Sequence, residues 1–460
     1  MQATTFSTPL KKALSTNTLV GLHVIIGIIL AFLPSQALVY LLCFFFYSLL
    51  RIIQTGNKNN EAAFVAVYLA SFEILLRQSD NDFIYEFGKY SVSLILFTGM
   101  SLEKTPRKLP VIAIIYFCLL IPAIFVGNYS SVLYFRRSVS FNFSGPLSLM
   151  MSWLYFCDRK FNKAEFQRLM TQIILPIIGA CALILVRIPS NFDFSQLTIS
   201  TKAFSGGFGP NQVSAVLGFG FFVVFLMILF NQKIFENRII DIILAFSFLT
   251  FGILTFSRGG VLTGVISLIV SVFIYISLGR GSRQFSKLFI GVVAFGVISY
   301  FMWNLLNKYT GDSISRRYES TITKKSSGAG QSGNYADRSL IMKDDLEAFM
   351  NSPLLGNGPE GSAEFRRNKY HHNSTAHTEY TRLLGDHGLL GVGVLIILFS
   401  SFLRYYRNRK GDNKIILGGF MSISLLTMLH AAMRLAIPGL AFGLALIDVN
   451  LEDHSLERRE

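Results

Sequence analysis

Residues 371–393 read HHNSTAHTEYTRLLGDHGLLGVG, so that His371, His372, His377 and His387 gather with Glu379, Asp386 and Arg382 at the mouth of an apolar run. Titratable groups placed there admit a metal site, a proton relay, or a base held at a membrane surface. Zinc sites on helices set their ligands at i and i+4, as in H-E-x-x-H, and that spacing is absent. Neutral imidazoles lining a polar loop are the simpler reading, and no metal or other cofactor is expected. A histidine with a pKa near neutrality suits a base that takes a proton from an attacking hydroxyl.

A second constellation is cationic. In SRGG, residues 257–260, Arg258 lies between two apolar runs with essentially no loop. A cation at the bilayer midplane costs ~2.5–3.5 kcal/mol on insertion scales, less near an interface. Arg258 either snorkels to headgroup phosphates or is kept for an anionic ligand. Gly259 and Gly260 permit close approach, and free N–H groups opening the next helix add to an anion site. Arg187, Lys202 and Arg434 lie at the same ends of other runs, and Arg136 and Arg137 are expected on a loop of that side. GGFGPNQ, residues 206–212, leads to Pro210, whose fixed φ suits a first helical turn. Asn211 there either caps the helix, which is the expectation, or bonds a substrate. Guanidinium forks match phosphate oxygens, and a diphosphate leaving carbon gathers charge that such forks stabilise. Gly356, Gly358 and Gly361 satisfy G-x-G-x-x-G, but no strand or βαβ unit accompanies them, so they read as a positive-φ turn.

The elements that position these groups are membrane spans. The chain has 460 residues, 52% hydrophobic and 15% charged, with mean hydropathy +0.48. Apolar runs long enough to cross a bilayer recur throughout, which predicts an all-α polytopic membrane protein of about 12–14 transmembrane helices. The later predicted spans include Ser144–Cys157, Phe285–Trp303, Gly388–Leu403 and Leu435–Val449. Residues 1–303 form an N-terminal bundle with short loops, 304–387 one large loop, and 388–460 the last spans and a tail. The first apolar run lacks a small-residue cleavage site and reads as a retained span. Lys and Arg concentrate in alternate connections, such as EKTPRK (103–108) and DRKFNKAEFQR (158–168). The positive-inside rule then places both termini in the cytoplasm and the large loop outside. It also accounts for the formal charge of +15 without a nucleic-acid partner. Cys43, Cys118, Cys157 and Cys181 form no C-x-x-C pair and read as small core residues. Within the loop, KKSSGAGQSGNY (324–335) is polar and expected to be mobile, and DRSLIMKDDLEAFMNSP has helical spacing. A transporter would need titratable acids at mid-membrane, for which Glu73 and Asp241 are the candidates; Glu73 has Arg77 one turn on.

SRGG, the stretch from Asp337 through PLLGNG, and AHTEYTRLLGDHGLLG together resemble the O-antigen ligase/O-antigen polymerase superfamily, over residues 200–405. These are bacterial inner-membrane glycosyltransferases of GT-C type. The resemblance implies His377 as the catalytic base, followed here by Thr378 where the family usually has Asn. It implies Arg258 and Arg338 as pyrophosphate ligands, helped by Arg187 or Arg434, and aligns Pro210–Asn211 with the family's P-N dipeptide. Lys202 and Arg187 are the nearest bases where ligases often carry a further arginine, and Glu379 and Tyr380 are candidate donor or acceptor contacts. The implied reaction moves a glycan from undecaprenyl pyrophosphate to an acceptor hydroxyl at the periplasmic face. Lipid A-core as acceptor makes a ligase, a second lipid-linked glycan a polymerase, and a protein Ser or Thr an oligosaccharyltransferase.

Overall fold

A computed structural model describes residues 15–79, 85–104, 107–188, 202–279, 303–315, 338–371 and 374–451, with 296, 300 and 301 besides. The predicted span Phe285–Trp303 and the tract 324–335 lie largely or wholly outside the described residues. The helices are α1 (Thr16–Phe32), α2 (Gln36–Thr55), α3 (Glu61–Gln78), α4 (Phe87–Ser101), α5 (Val111–Cys118), α6 (Val132–Phe156) and α7 (Lys163–Arg187). Then come α8 (Pro210–Leu229), α9 (Arg238–Leu254), α10 (Arg258–Ser277), α11 (Arg338–Asn351), α12 (Gly361–Tyr370), α13 (Glu379–Asn408), α14 (Gly411–Ala431) and α15 (Ile437–Leu444). A short parallel pair, β1 (Lys160–Asn162) and β2 (Asp448–Asn450), ties two connections together at one end. The protein is an all-α polytopic membrane protein. Among the described residues six helices are long and apolar enough to cross a membrane: α2, α7, α8 with the turn before it, α10, α13 and α14.

Several boundaries move. The expected span Ser144–Cys157 is the second half of α6, which begins twelve residues earlier, at Val132. Ser131 caps it by accepting from the Tyr134 amide, so Arg136 and Arg137 stand on its early turns rather than on a loop. The run Leu435–Val449 is no continuous span: α15 has 8 residues, roughly 12 Å at helical rise, and the chain then enters β2.

Helix α3 is central, with every residue from Ala66 to Gln78 buried. Helices α8 and α10 touch backbone to backbone. A Cβ on Gly218 would lie 2.0 Å from the Gly260 carbonyl oxygen, and one on Gly264 2.4 Å from the Gly218 oxygen. Without a hydrophobic drive between helices in lipid, such small-residue contact supplies the packing. Phe256, at φ 55, makes the sharp turn from α9 into α10.

The loop helices α11 and α12 pack on the first part of α13, which turns at Gly388, φ 61 and ψ −139. A Cβ there would sit 2.5 Å from the Pro353 oxygen, and Leu389 N–H donates to that oxygen at 2.7 Å. Gly356 and Gly358, at φ 74 and 83, let the PLLGNG turn dock, with Gly358 N–H donating to the Asp386 carbonyl at 3.0 Å. Gly361, by contrast, simply starts α12. The residues just ahead of the predicted span Gly388–Leu403 are therefore helical as well, forming the stretch of α13 before Gly388.

Between α14 and α15 the chain unwinds from Ala432, at φ 53 and ψ −163. It does so at the level of Gly145, midway along α6, where a Cβ would meet the Met433 side chain at 2.6 Å. Non-helical backbone at such depth persists only where protein groups satisfy it. Glu379 accepts from Met433 N–H at 3.2 Å, and Glu73 from Ala436 N–H at 2.8 Å. Lys89 donates to the Met433 carbonyl at 3.3 Å, and Arg77 to the Arg434 carbonyl at 2.7 Å. Each of these charges has its own partner: Glu73 pairs with Arg77 at 2.6 Å, Lys89 with Glu86, and Glu379 with Arg382.

Candidate active site

The unwound segment aims Arg434 at the residues just before α13. Its guanidinium donates to the Thr375 hydroxyl and the Ala376 carbonyl, both at 2.6 Å. His377 follows, half-buried, with Nδ1 shielded from solvent and lacking a hydrogen-bond partner. Thr378 does not orient the ring, because its hydroxyl caps α13 by accepting from Tyr380 N–H at 3.3 Å. Burial first, and then the guanidinium groups of Arg434, Arg338 and Arg366, press the His377 pKa down to about 4. The ring is thus neutral at ordinary pH and carries an unused buried nitrogen, the kind of group that requires an explanation.

Arg338 links this ring to the SRGG motif. It begins α11, and loss of water together with the neighbouring Arg258 lowers its pKa. Arg258 begins α10, half-buried. The close crossing of α8 and α10 brings the two motif starts together: Ser257 Oγ donates to Asn211 Oδ1 at 2.8 Å, and Ser214 Oγ donates to the Ser257 carbonyl at 2.8 Å. Asn211 does not cap α8. Gly209 occupies the cap position and Pro210 the first turn, leaving the Asn211 amide to receive Ser257. On the other side of Gly259 stands His430, whose ring a Cβ there would meet at 2.4 Å. His430 Nδ1 faces the Leu426 carbonyl at 2.8 Å, and its Nε2 is buried without a partner.

A cavity of about 830 Å³ opens beside Arg434, lined also by Tyr85, Arg136, Arg137, Glu360 and Thr375. Arg77 backs the lining residue Tyr85: its guanidinium lies 4.0 Å from the Tyr85 ring and donates to Gln212 Oε1 at 2.7 Å. Concavity with a few convergent polar groups is the usual form of a substrate site.

Other residues singled out from the sequence have different surroundings. The Arg187 guanidinium donates to the carbonyls of Gln78 at 2.5 Å and of Ala31 and Gly206 at 3.2 Å, which ties the end of α7 to its neighbours. Lys202 is exposed. Tyr380 donates to the Leu425 carbonyl at 2.9 Å, and Glu379 serves Arg382 and the unwound segment. His371 is exposed at the end of α12, and His387 bonds Asn142 Oδ1 at 3.0 Å, while His372 lies outside the described residues. Asp386 accepts from Ser362 Oγ at 2.5 Å and from Asn142 Nδ2 at 2.8 Å. The two acids a transporter would titrate are both engaged, Glu73 as above and Asp241 by the Ile234 and Phe235 amides at 3.2 and 3.1 Å.

Three neighbours of the site escaped the sequence reading: Arg366, Tyr85 and His430. Arg366 is fully buried, ion-paired to Asp345 and bonded to the Ser374 carbonyl at 3.0 Å.

Fold and site together define a helical membrane protein that collects guanidinium groups and imidazoles at one end of its bundle. Residues 242–396, which include Arg258, Arg338 and His377, match the family model described as O-Antigen ligase. The match supports the O-antigen ligase/polymerase superfamily, in line with the resemblance of the motifs, and with it ligase- or polymerase-type function and glycosyltransferase-like activity in general. No curated protein matches the chain.

Proposed function

We propose that the protein transfers a glycan from an undecaprenyl-pyrophosphate donor to an acceptor hydroxyl at the periplasmic face of the bacterial inner membrane, as an O-antigen ligase acting on lipid A-core. The observation that carries the reading is His377, a neutral imidazole with an unpartnered buried nitrogen set among the guanidinium groups of Arg338, Arg366 and Arg434. His377 takes the proton from the acceptor O–H, and the freed oxygen attacks the anomeric carbon. The bond from that carbon to the diphosphate oxygen breaks, with inversion at carbon, and the lipid diphosphate departs on Arg258, Arg338 and Arg434. The activated bond arrives on the lipid, so neither nucleotide sugar nor metal enters.

Electrostatics couple binding to chemistry. With the cations unopposed, His377 is too weak a base to be efficient near neutrality. A bound diphosphate offsets their field and raises the imidazole pKa when the acceptor needs deprotonating. Arg366 is already neutralised by Asp345, which leaves Arg338 and Arg434 as the pair the donor acts upon.

The test is reconstitution: purified protein, lipid-linked glycan and lipid A-core, with product scored by electrophoretic mobility. Transfer that proceeds at full rate in His377→Ala overturns the assignment of the base. Transfer abolished by EDTA and restored by a divalent ion overturns the metal-free reading. A product formed only with a second lipid-linked glycan, or only with a protein Ser or Thr, moves the protein to the polymerase or oligosaccharyltransferase class.

A further inference from the structure

The opposite end of the bundle holds a second cleft, unrelated to the His377 site. Helix α3 has 18 residues, about 27 Å at helical rise. It carries Arg77 near one end, while its other end borders a cavity of about 570 Å³. Lys58, Lys104, Arg107, Arg159 and Lys160 line that cavity, with Glu103 and Asp158 as its acids.

The floor is built and satisfied. Arg159 is buried, stacked 3.6 Å from the centre of the Tyr155 ring, and donates to Asn60 Oδ1 at 2.8 Å and Glu103 Oε1 at 2.5 Å. Asn57 donates to the same Glu103 at 3.0 Å and to Tyr155 Oη at 3.1 Å. Arg107 closes one wall by donating to the Tyr155 and Cys157 carbonyls at 2.9 and 2.6 Å, and Asp158 pairs outward with Arg409 at 2.7 Å. Both acids are therefore neutralised. Lys58, Lys104 and Lys160 are exposed, and among the described residues none has a side-chain hydrogen bond or ion pair.

The positive-inside rule accounts for cations in these connections but not for their meeting around one cleft. Here the cations converge on a concave surface with a rigid, charge-balanced base. Exposed apolar side chains adjoin it in sequence: Ile53 (51% exposed) before the Gly56 turn, and Leu109 and Val111 (46% and 64%) after Arg107. A ligand that fits has a phosphate for the lysines and hydrocarbon for the flanks. We infer that this cleft binds the phosphate of an anionic phospholipid headgroup, at the membrane face opposite the His377 site, with Lys58, Lys104 and Lys160 as its ligands.

The test uses the purified full-length protein in native mass spectrometry, with a mixture of phosphatidylglycerol and phosphatidylcholine. Wild type is expected to retain phosphatidylglycerol in preference to phosphatidylcholine. At about 1 kcal/mol per basic residue near an anionic lipid, each Lys→Gln change is expected to weaken retention roughly fivefold, and Lys58→Gln/Lys104→Gln/Lys160→Gln on the order of a hundredfold. The Lys→Arg triple variant should retain the lipid, and the single variants keep the test valid if the triple Gln chain fails to fold. Equal retention of phosphatidylglycerol by wild type and the Gln variants overturns the site. Displacement of the lipid by millimolar inorganic phosphate overturns the lipid source and assigns the cleft to a soluble phosphate compound.

Discussion

As the proposed base, His377 must be unprotonated to act, so activity is expected to fall as pH drops through its pKa. Burial and the neighbouring guanidinium groups press that pKa down to about 4, and on the proposed mechanism a bound diphosphate would raise it by cancelling positive field. The acid limb of kcat is therefore expected at higher pH than the acid limb of kcat/KM, measured by steady-state transfer across pH; coincident limbs would sever the base from the donor's charge. His377→Ala is expected to lower kcat roughly 10²–10⁴-fold, the span that general acid–base catalysis supplies, while donor binding persists. Arg258→Lys keeps charge and loses the planar fork, and undiminished kcat/KM would rule out bidentate contact. At this scale the sequence shows its groups where a motif marks them. Arg258, Arg338 and His377 are visible as motifs, and the structure links them electrostatically. Arg366 was not legible: it sits beside Arg367 in one polar helix, yet the first is buried and the second exposed, and nothing local separates them. Asn211 illustrates the converse, because its role depends on Ser257, which only the crossing of α8 and α10 brings near.

That crossing is the element on which the site rests. Gly218→Ala would place a methyl 2.0 Å from the Gly260 oxygen, so the helices must separate and the Ser257–Asn211 bond must lengthen. A lower unfolding temperature in detergent and a loss of transfer are expected together. Gly21→Ala, in α1 with nothing within 4 Å of its Cβ, should leave both unchanged and serves as the control. Gly388 makes a related demand, since its positive φ and the Pro353 oxygen at 2.5 Å both exclude a side chain. Gly388→Ala should loosen the loop helices, read as faster proteolysis between 338 and 378. Hydropathy located most helices to within a few residues because length and apolarity are local. It missed the early turns of α6, which carry Arg136 and Arg137 and are too polar to register. It also misjudged α15, where an apolar run is buried in protein as a short helix, an unwound stretch and a strand, and local composition cannot tell that from a span.

Across the whole molecule, ion pairs of the early helices and of α13 fasten the unwound segment that presents Arg434. Removing one member of a buried pair costs about 3–5 kcal/mol, whereas neutralising both members costs far less. Arg77→Met should thus unfold at a lower temperature than Arg77→Met/Glu73→Gln, in which the amide oxygen still receives Ala436 N–H. A single variant as stable as wild type would show that the pair does not secure the segment. The same contacts set an order of assembly. Glu73 waits for an amide 363 residues downstream, Arg77 for a carbonyl 357 residues on, and Lys89 for one 344 residues on. As the ribosome feeds the chain into the bilayer, those bonds stay unmade until the last hydrophobic stretch has been translated. The nascent protein therefore cannot hold Arg434 in its final place before that point, and the candidate site is completed in one late step.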